Sequence, residues 1–180
     1  MKDGSAVIVI ETSQRIATAA IVSGDGNIFA EAAADDAPAS ETLADLAALL
    51  LTRAGSSRIG EVVVSDGPGS ATGIRVGIAF GTGLAAGLKV PLRRVSLFES
   101  MVGGREWRPA ALLAAGGTVV WGRSKESAIT CGIDEFQGLL AAERFLVSAD
   151  LAARFGNAID GRVLIDMNGA LTIAGRIGGR

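Results

Sequence analysis

The passage that most constrains this chain is Ser65-Asp66-Gly67-Pro68-Gly69-Ser70-Ala71-Thr72-Gly73-Ile74-Arg75-Val76-Gly77, which follows the β-branched run Val62-Val63-Val64. The run is long enough for a buried strand, and the glycines and proline after it break regular structure. Ser70 or Thr72 can cap a helix that continues to about Gly87. Within it Gly73, Gly77 and Gly81 recur every fourth residue, as do Gly83 and Gly87. An interior glycine costs a helix roughly 1 kcal/mol relative to alanine, so such a series needs an offsetting gain. Spacing by four puts Gly73, Gly77 and Gly81 on one face, where another element can approach closely. Membrane helices use the same spacing, but Arg75, Lys89 and the short length argue against a span.

The loop admits two uses. The N–H groups of Gly67, Gly69, Ser70, Thr72 and Gly73, with Arg75 beside them, could cradle an anion. Alternatively, the glycines simply let the helix lie close against the sheet. The loop lacks the lysine of a P-loop, and its GxGxxxG spacing is not the dinucleotide-binding fingerprint. Packing is the preferred reading, with Arg75 in a structural ion pair to Glu11 or Asp66.

The 180 residues include no histidine and one cysteine, Cys131. That removes Ser-His-Asp triads, Cys-His dyads, Cys/His zinc sites and disulfide frameworks, so neither catalytic residues nor metal ligands are expected. Cys131 reads as a small buried hydrophobe. Aromatics are 4% against 49% apolar residues, so the expected core is Ala, Leu, Ile and Val. A formal net charge of −2 gives no basis for direct nucleic-acid binding, and the basic spots at Arg93-Arg94 and at Arg105 and Arg108 read as solvated surface. With no signal pattern and no long apolar run, a soluble cytoplasmic protein away from membranes is expected.

In chain order, Ala6–Ile10, Ile16–Val22 and Ile28–Ala33 read as three antiparallel strands, with a hairpin turn at Gly24-Asp25-Gly26-Asn27. After a linker from Asp35 to Ala39, a helix begins at Ser40-Glu41 and closes at Arg53-Ala54-Gly55. Leu43, Leu46, Ala47 and Leu50 line one face of it, and Leu49 and Leu51 widen the apolar stripe. Beyond the glycine helix come a strand over Leu88–Val95 and a short helix from Ser96, then a boundary at Gly103-Gly104-Arg105. The remainder reads as strands at Ala110–Ala115, Thr118–Gly122 and Ser127–Gly132, helices at Gln137–Phe145 and Ala149–Phe155, and a strand at Arg162–Asp166. Residues 174–180 read as frayed, and no internal repeat is visible.

The βββαβα order resembles one half of the ribonuclease-H-like actin/Hsp70 (ASKHA) fold. Within it, residues 6–103 resemble the TsaB (YeaZ) family of bacterial tRNA threonylcarbamoyladenosine synthesis. The family opens with a strand and Asp-Thr-Ser/Thr, matched by Glu11-Thr12-Ser13. Its hallmark glycine motif is matched by Ser65 to Gly77, and its later segments by Gly83-Leu84-Ala85-Ala86-Gly87 and Val95-Ser96-Leu97-Phe98-Glu99. Glu11 stands where the family has Asp, Ala71 where it has Phe, and Asp66 where it has Arg. The acid and arginine of its second-lobe motif are missing from Leu113–Trp121.

The resemblance implies an α/β protein with a ribonuclease-H-like lobe over residues 1–103 and a shortened second lobe over 104–180. It implies a non-catalytic subunit that dimerises with a TsaD-type catalytic protein in threonylcarbamoyl transfer to tRNA adenosine. A TsaE-type ATPase is the further expected partner, and the chain alone forms a homodimer. No cofactor is expected on the chain alone, ATP and Mg²⁺ entering only at a partner interface. The partner-binding residues on this reading are Leu43, Leu46, Ala47 and Leu50 with Ile74, Gly77, Ile78, Gly81, Leu84 and Ala85. Two other classes stand beside it: a nucleotide-dependent enzyme of the same fold, and a diverged homodimer with no role in tRNA modification.

Overall fold

A computed structural model describes residues 5–23, 27–34, 37–55, 58–103, 109–124, 126–140, 143–155, 163–166 and 169–178. The turn at Gly24–Gly26, Asp35 and Asp36 of the linker, Gly104-Arg105 of the boundary, and Arg105 and Arg108 lie outside the described residues.

β1 (Ala6–Glu11), β2 (Thr18–Val22) and β3 (Ile28–Ala33) form an antiparallel meander. α1 (Ala39–Ala54) then leads to β4 (Ile59–Ser65), and α2 (Ala71–Leu88) to β5 (Leu92–Val95), both strands parallel to β1. The sheet order is β3-β2-β1-β4-β5. Strand alternation assigns its faces: Ile8, Ile10, Val62 and Val64 point to one core layer, and Val7, Val9 and Val63 to the other. β5 starts later than the sequence pattern indicates, because Leu88 completes the last turn of α2 and Lys89 closes it at φ 56°.

The chain continues through α3 (Leu97–Val102), β6 (Ala110–Leu113), β7 (Val119–Gly122), β8 (Ile129–Cys131) and α4 (Ile133–Leu140). β9 (Phe145–Ser148), α5 (Ala149–Phe155), β10 (Val163–Asp166) and α6 (Gly169–Gly178) complete it. The second sheet, β8-β7-β6-β9-β10, repeats the order and strand directions of the first. A repeat is therefore present in topology although the sequence shows none: different apolar residues fill equivalent strands.

Two segments depart from the sequence expectation. The predicted helix at Gln137–Phe145 is shifted, since α4 ends at Leu140 and Phe145–Ser148 is the wholly buried strand β9. A strand of four residues is too short for periodicity to separate it from a helix end. The end of the chain is not frayed through residue 178. Ala170, Ile173 and Ala174 are buried at helical spacing in α6, which packs across β1 and β2 of the first sheet.

The layers follow. α1 and α2 cover one face of the first sheet, α3 and α6 lie between the two sheets, and α4 and α5 cover the far face of the second. The middle layer joins Val7, Val9 and Val63 to Leu97, Phe98, Met101, Ala110, Leu112, Leu146 and Ile173 in one core. The outer layer of the second sheet departs from the aliphatic expectation, with Phe136 and Phe145 edge to face at 4.9 Å and Trp121 and Phe155 beside them. Cys131 is buried there, and burial raises its thiol pKa.

The glycine face of α2 turns inward. A Cβ at Gly77 would collide with Thr12 and one at Gly81 with Val64, whereas nothing lies within 4 Å of Gly83 or Gly87. Gly77→Ala should therefore lower stability by about 1–3 kcal/mol through overpacking. Gly87→Ala, in open space, should be neutral or stabilising by about 0.5–1 kcal/mol through helix propensity. Urea unfolding of the two variants checks this, and equal losses would refute the inward packing.

Candidate functional site

Two regions hold the residues singled out by the sequence: the α1–α2 surface, and the ends of β1 and β4 with the cleft they face. On α1, Leu43, Leu46, Ala47 and Leu50 are no more than 7% exposed and pack against the sheet. On α2, Gly77, Gly81 and Ala85 are buried in the same layer. These residues cannot form a docking surface, because the apolar stripe is consumed by the chain's own sheet. Ile74, Ile78 and Leu84 are half-buried at the flank.

The outward side is carried by other residues. Ala48, Leu49 and Thr52 are exposed on α1, Leu49 at 42%, and Ala79, Thr82, Gly83, Ala86 and Gly87 are exposed on α2. The sequence held two signals for this face, the widening of the stripe at Leu49 and the second glycine pair. α2 meets the length and composition of a membrane span. It is also the crossover between β4 and β5, and a span would forfeit that sheet contact.

The glycine loop is closed on itself and on the β1–β2 turn. Gly67 N–H donates to Ser65 Oγ at 3.2 Å, Ser70 N–H to the Ser13 carbonyl at 2.7 Å, and Gly73 N–H to Ser70 Oγ at 3.2 Å. Thr12 Oγ1 donates to the Gly73 carbonyl at 2.8 Å. Gly69 and Gly73 lie directly on the backbone of Ser13 and Thr12, where any side chain would collide. The donors proposed for an anion at Gly67, Ser70 and Gly73 are thus spent within the protein. Ser70 is exposed as the α2 N-cap, and Thr72 and Arg75 are exposed in the first turn. No salt bridge joins Arg75 to Glu11 or Asp66 among the described residues, so the expected ion pair is not formed. Arg93 instead pairs through two contacts with Glu61, at 2.7 and 3.0 Å, and that hydrogen bonding raises the guanidinium pKa further.

Glu11, the acid at the end of β1, is 1% exposed. Its Oε1 accepts from Ser13 N–H at 2.6 Å and from Ser13 Oγ. Beyond it, Ser13, Arg15 and Ser70 face Gly116, Gly117, Asp150 and Arg154 across a cleft of about 560 Å³. Asp150 accepts the Arg15 N–H at 2.5 Å. Burial raises the Asp150 carboxyl pKa, opposed by that bond and by the charges of Arg15 and Arg154. Among the described residues, no group of three histidine, cysteine or acidic side chains converges to hold a metal. A metal-bound nucleotide, which the actin/Hsp70 fold can carry, does not fit this acid set.

A family model described as TsaD, tRNA N6-adenosine threonylcarbamoyltransferase, matches residues 30–132, just over half of the chain. No curated protein matches the sequence. YeaZ from Pseudomonas aeruginosa is similar in structure, with a TM-score of 0.70 and 19% identity over 97% of this chain and 91% of that one. The ethanolamine utilization protein EutJ from Carboxydothermus hydrogenoformans follows at TM-score 0.60 and 11% identity, over 95% and 88% of the two chains. The activator of the 2-hydroxyisocaproyl-CoA dehydratase from Clostridium difficile, solved with bound ADPNP, aligns at TM-score 0.55 and 9% identity over 96% and 92%. These likenesses establish an actin/Hsp70-type α/β fold.

The raised Asp150 value fixes a sign. Above 3.8, its ordinary value, the folded chain keeps the proton longer than the unfolded chain does. Its contribution to stability is fullest below 3.8 and is lost as pH rises through the raised folded value. Asp150→Asn keeps an acceptor for Arg15 and does not ionise. Its melting temperature relative to wild type should therefore climb between about pH 4 and pH 7. A constant difference across that range would contradict the assignment.

Proposed function

The chain belongs to the TsaD family, and on that premise we propose that it serves tRNA threonylcarbamoylation as a non-catalytic subunit. It pairs with a TsaD-type catalytic protein through the outward side of α1 and α2. On this reading residues 1–103 and 104–180 are its two lobes, and it works in the cytoplasm.

The observation that carries the proposal is the exposed side of α2. This helix has a mean hydropathy of 1.3 with only 17% of its length buried, and beyond the first turn and Arg75 its exposed positions are Ala79, Thr82, Gly83, Ala86 and Gly87. Small side chains beside an exposed Leu49 let a second helix pair approach closely, and apolar surface of this kind commonly marks a contact site. Ile74, Ile78 and Leu84 flank the face and contribute at its edge. Alone, the same face pairs two copies of the chain. A TsaE-type ATPase is the further partner, as the TsaB resemblance implies. The loop N–H groups of Gly67, Ser70 and Gly73, spent within the chain, and the lack of a convergent acid cluster among the described residues support a supporting rather than a catalytic role. The net charge of −2 favours leaving tRNA contact to the partner.

Co-purification with the TsaD-type protein of the same cell tests the pairing. Leu49→Glu and Gly83→Leu should abolish the complex while leaving the melting temperature within a few degrees of wild type. Leu46→Glu should instead unfold the chain, since it buries a charge in the sheet layer. Retention of the partner by both surface variants would overturn the interface, and absence of any complex with wild type would overturn the pairing itself.

A further inference from the structure

Two acids, the buried Glu11 and the cleft-lining Asp150, both make contacts between distant parts of the chain. Glu11 ends β1 in the first sheet, yet its side chain lies against the start of α6, the last helix. A Cβ built on Gly169 would come 2.8 Å from Glu11 Cγ and 3.1 Å from Oε2. The next residue, Ala170, donates its N–H to Thr18 Oγ1 at 3.1 Å. Asp150, at the start of α5, reaches the other side of the same β1–β2 turn through the Arg15 N–H.

We infer that Glu11 and Asp150 are tie points that fasten α6 and α5 to the β1–β2 turn, and that the cleft lined by Asp150 is not a metal–nucleotide site. Ser13 orients Glu11 Oε1 with two hydrogen bonds, and the other oxygen faces the first residue of α6. A carboxylate at that end of a helix is favoured by the exposed N–H groups and the helix dipole. A divalent cation that carries a nucleotide keeps several water ligands. At 1% exposure, Glu11 presents almost no surface to such an ion and its waters. Asp150 lines the cleft wall, and among the described residues no three acidic, histidine or cysteine side chains converge there to hold a compensating ion. These ties are internal to the chain and do not depend on the proposed pairing.

Hydrogen exchange and a mutant cycle test the inference on the intact chain. The Arg15 amide should lose its protection in Asp150→Ala and keep it in Asp150→Asn. Glu11→Gln, which keeps the shape and removes the charge, should speed exchange in the first turn of α6 by about tenfold. Gly169→Ala should lower the melting temperature in wild type and have little effect in Glu11→Ala, where the added Cβ finds room. Titration of wild type with ADPNP and Mg²⁺ should show no saturable binding. Unchanged protection of the Arg15 amide in Asp150→Ala, or additive effects of the Glu11 and Gly169 changes, would overturn the ties. Magnesium-dependent ADPNP binding that Glu11→Gln abolishes would return that carboxylate to a ligand role. Should Glu11→Ala fail to fold, the Arg15 amide measurement and the wild-type titration still decide the matter.

Discussion

The contact on which the first half of this molecule depends is the seating of α2 on the end of β1 and the middle of β4. Gly69 and Gly73 lie on the backbone of Ser13 and Thr12, and Gly77 and Gly81 receive the side chains of Thr12 and Val64. With no side chain of its own at these four positions, the helix sits close, and the loop before it is drawn down with it. That closeness explains both the cost of so many helical glycines and the fate of the loop donors. The N–H groups of Ser70, Gly67 and Gly73 donate instead to Ser13, Ser65 and Ser70. The same seating fixes which side of α2 remains outside, and hence where a partner could approach.

The middle layer makes the two sheets one body. α3 and α6 are shared by them, and the residues between the sheets come from both halves of the sequence. α6 is last in the chain but packs on β1 and β2 near its beginning, so the ends of the sequence meet in the core. Contacts of such long sequence separation cost loop-closure entropy and must be repaid by burial. Complete burial of Ile173, Leu97 and Met101 supplies that return.

The α1–α2 surface shows how a correct pattern can carry the wrong destination. Leu43, Leu46, Ala47 and Leu50 form an amphipathic stripe at ideal spacing, and spacing says only that these residues share a face. It does not say whether a sheet of the same chain or another molecule covers it. Here the sheet takes the stripe, and the smaller residues opposite are left outside. Arg75 illustrates the same limit for charges, since proximity in sequence to Asp66 produced no ion pair.

The sequence by itself determined the elements whose signals are local: the first three strands, the two long helices, the glycine loop with its close packing, and the family to which the central motif points. It also excluded chemistry that needs histidine or paired cysteines, because composition alone decides that. Tertiary structure decided the rest. β9 and α6 owe their form to neighbours supplied from elsewhere in the chain, and the repeated sheet order lies in pairing geometry rather than residue identity. The burial of Glu11 under α6 is likewise invisible locally, since a carboxylate at the end of a strand looks the same whether solvent, a cation or a helix start lies beyond it. Only the folded chain brings Gly169 against it, across a separation in sequence that no local pattern spans.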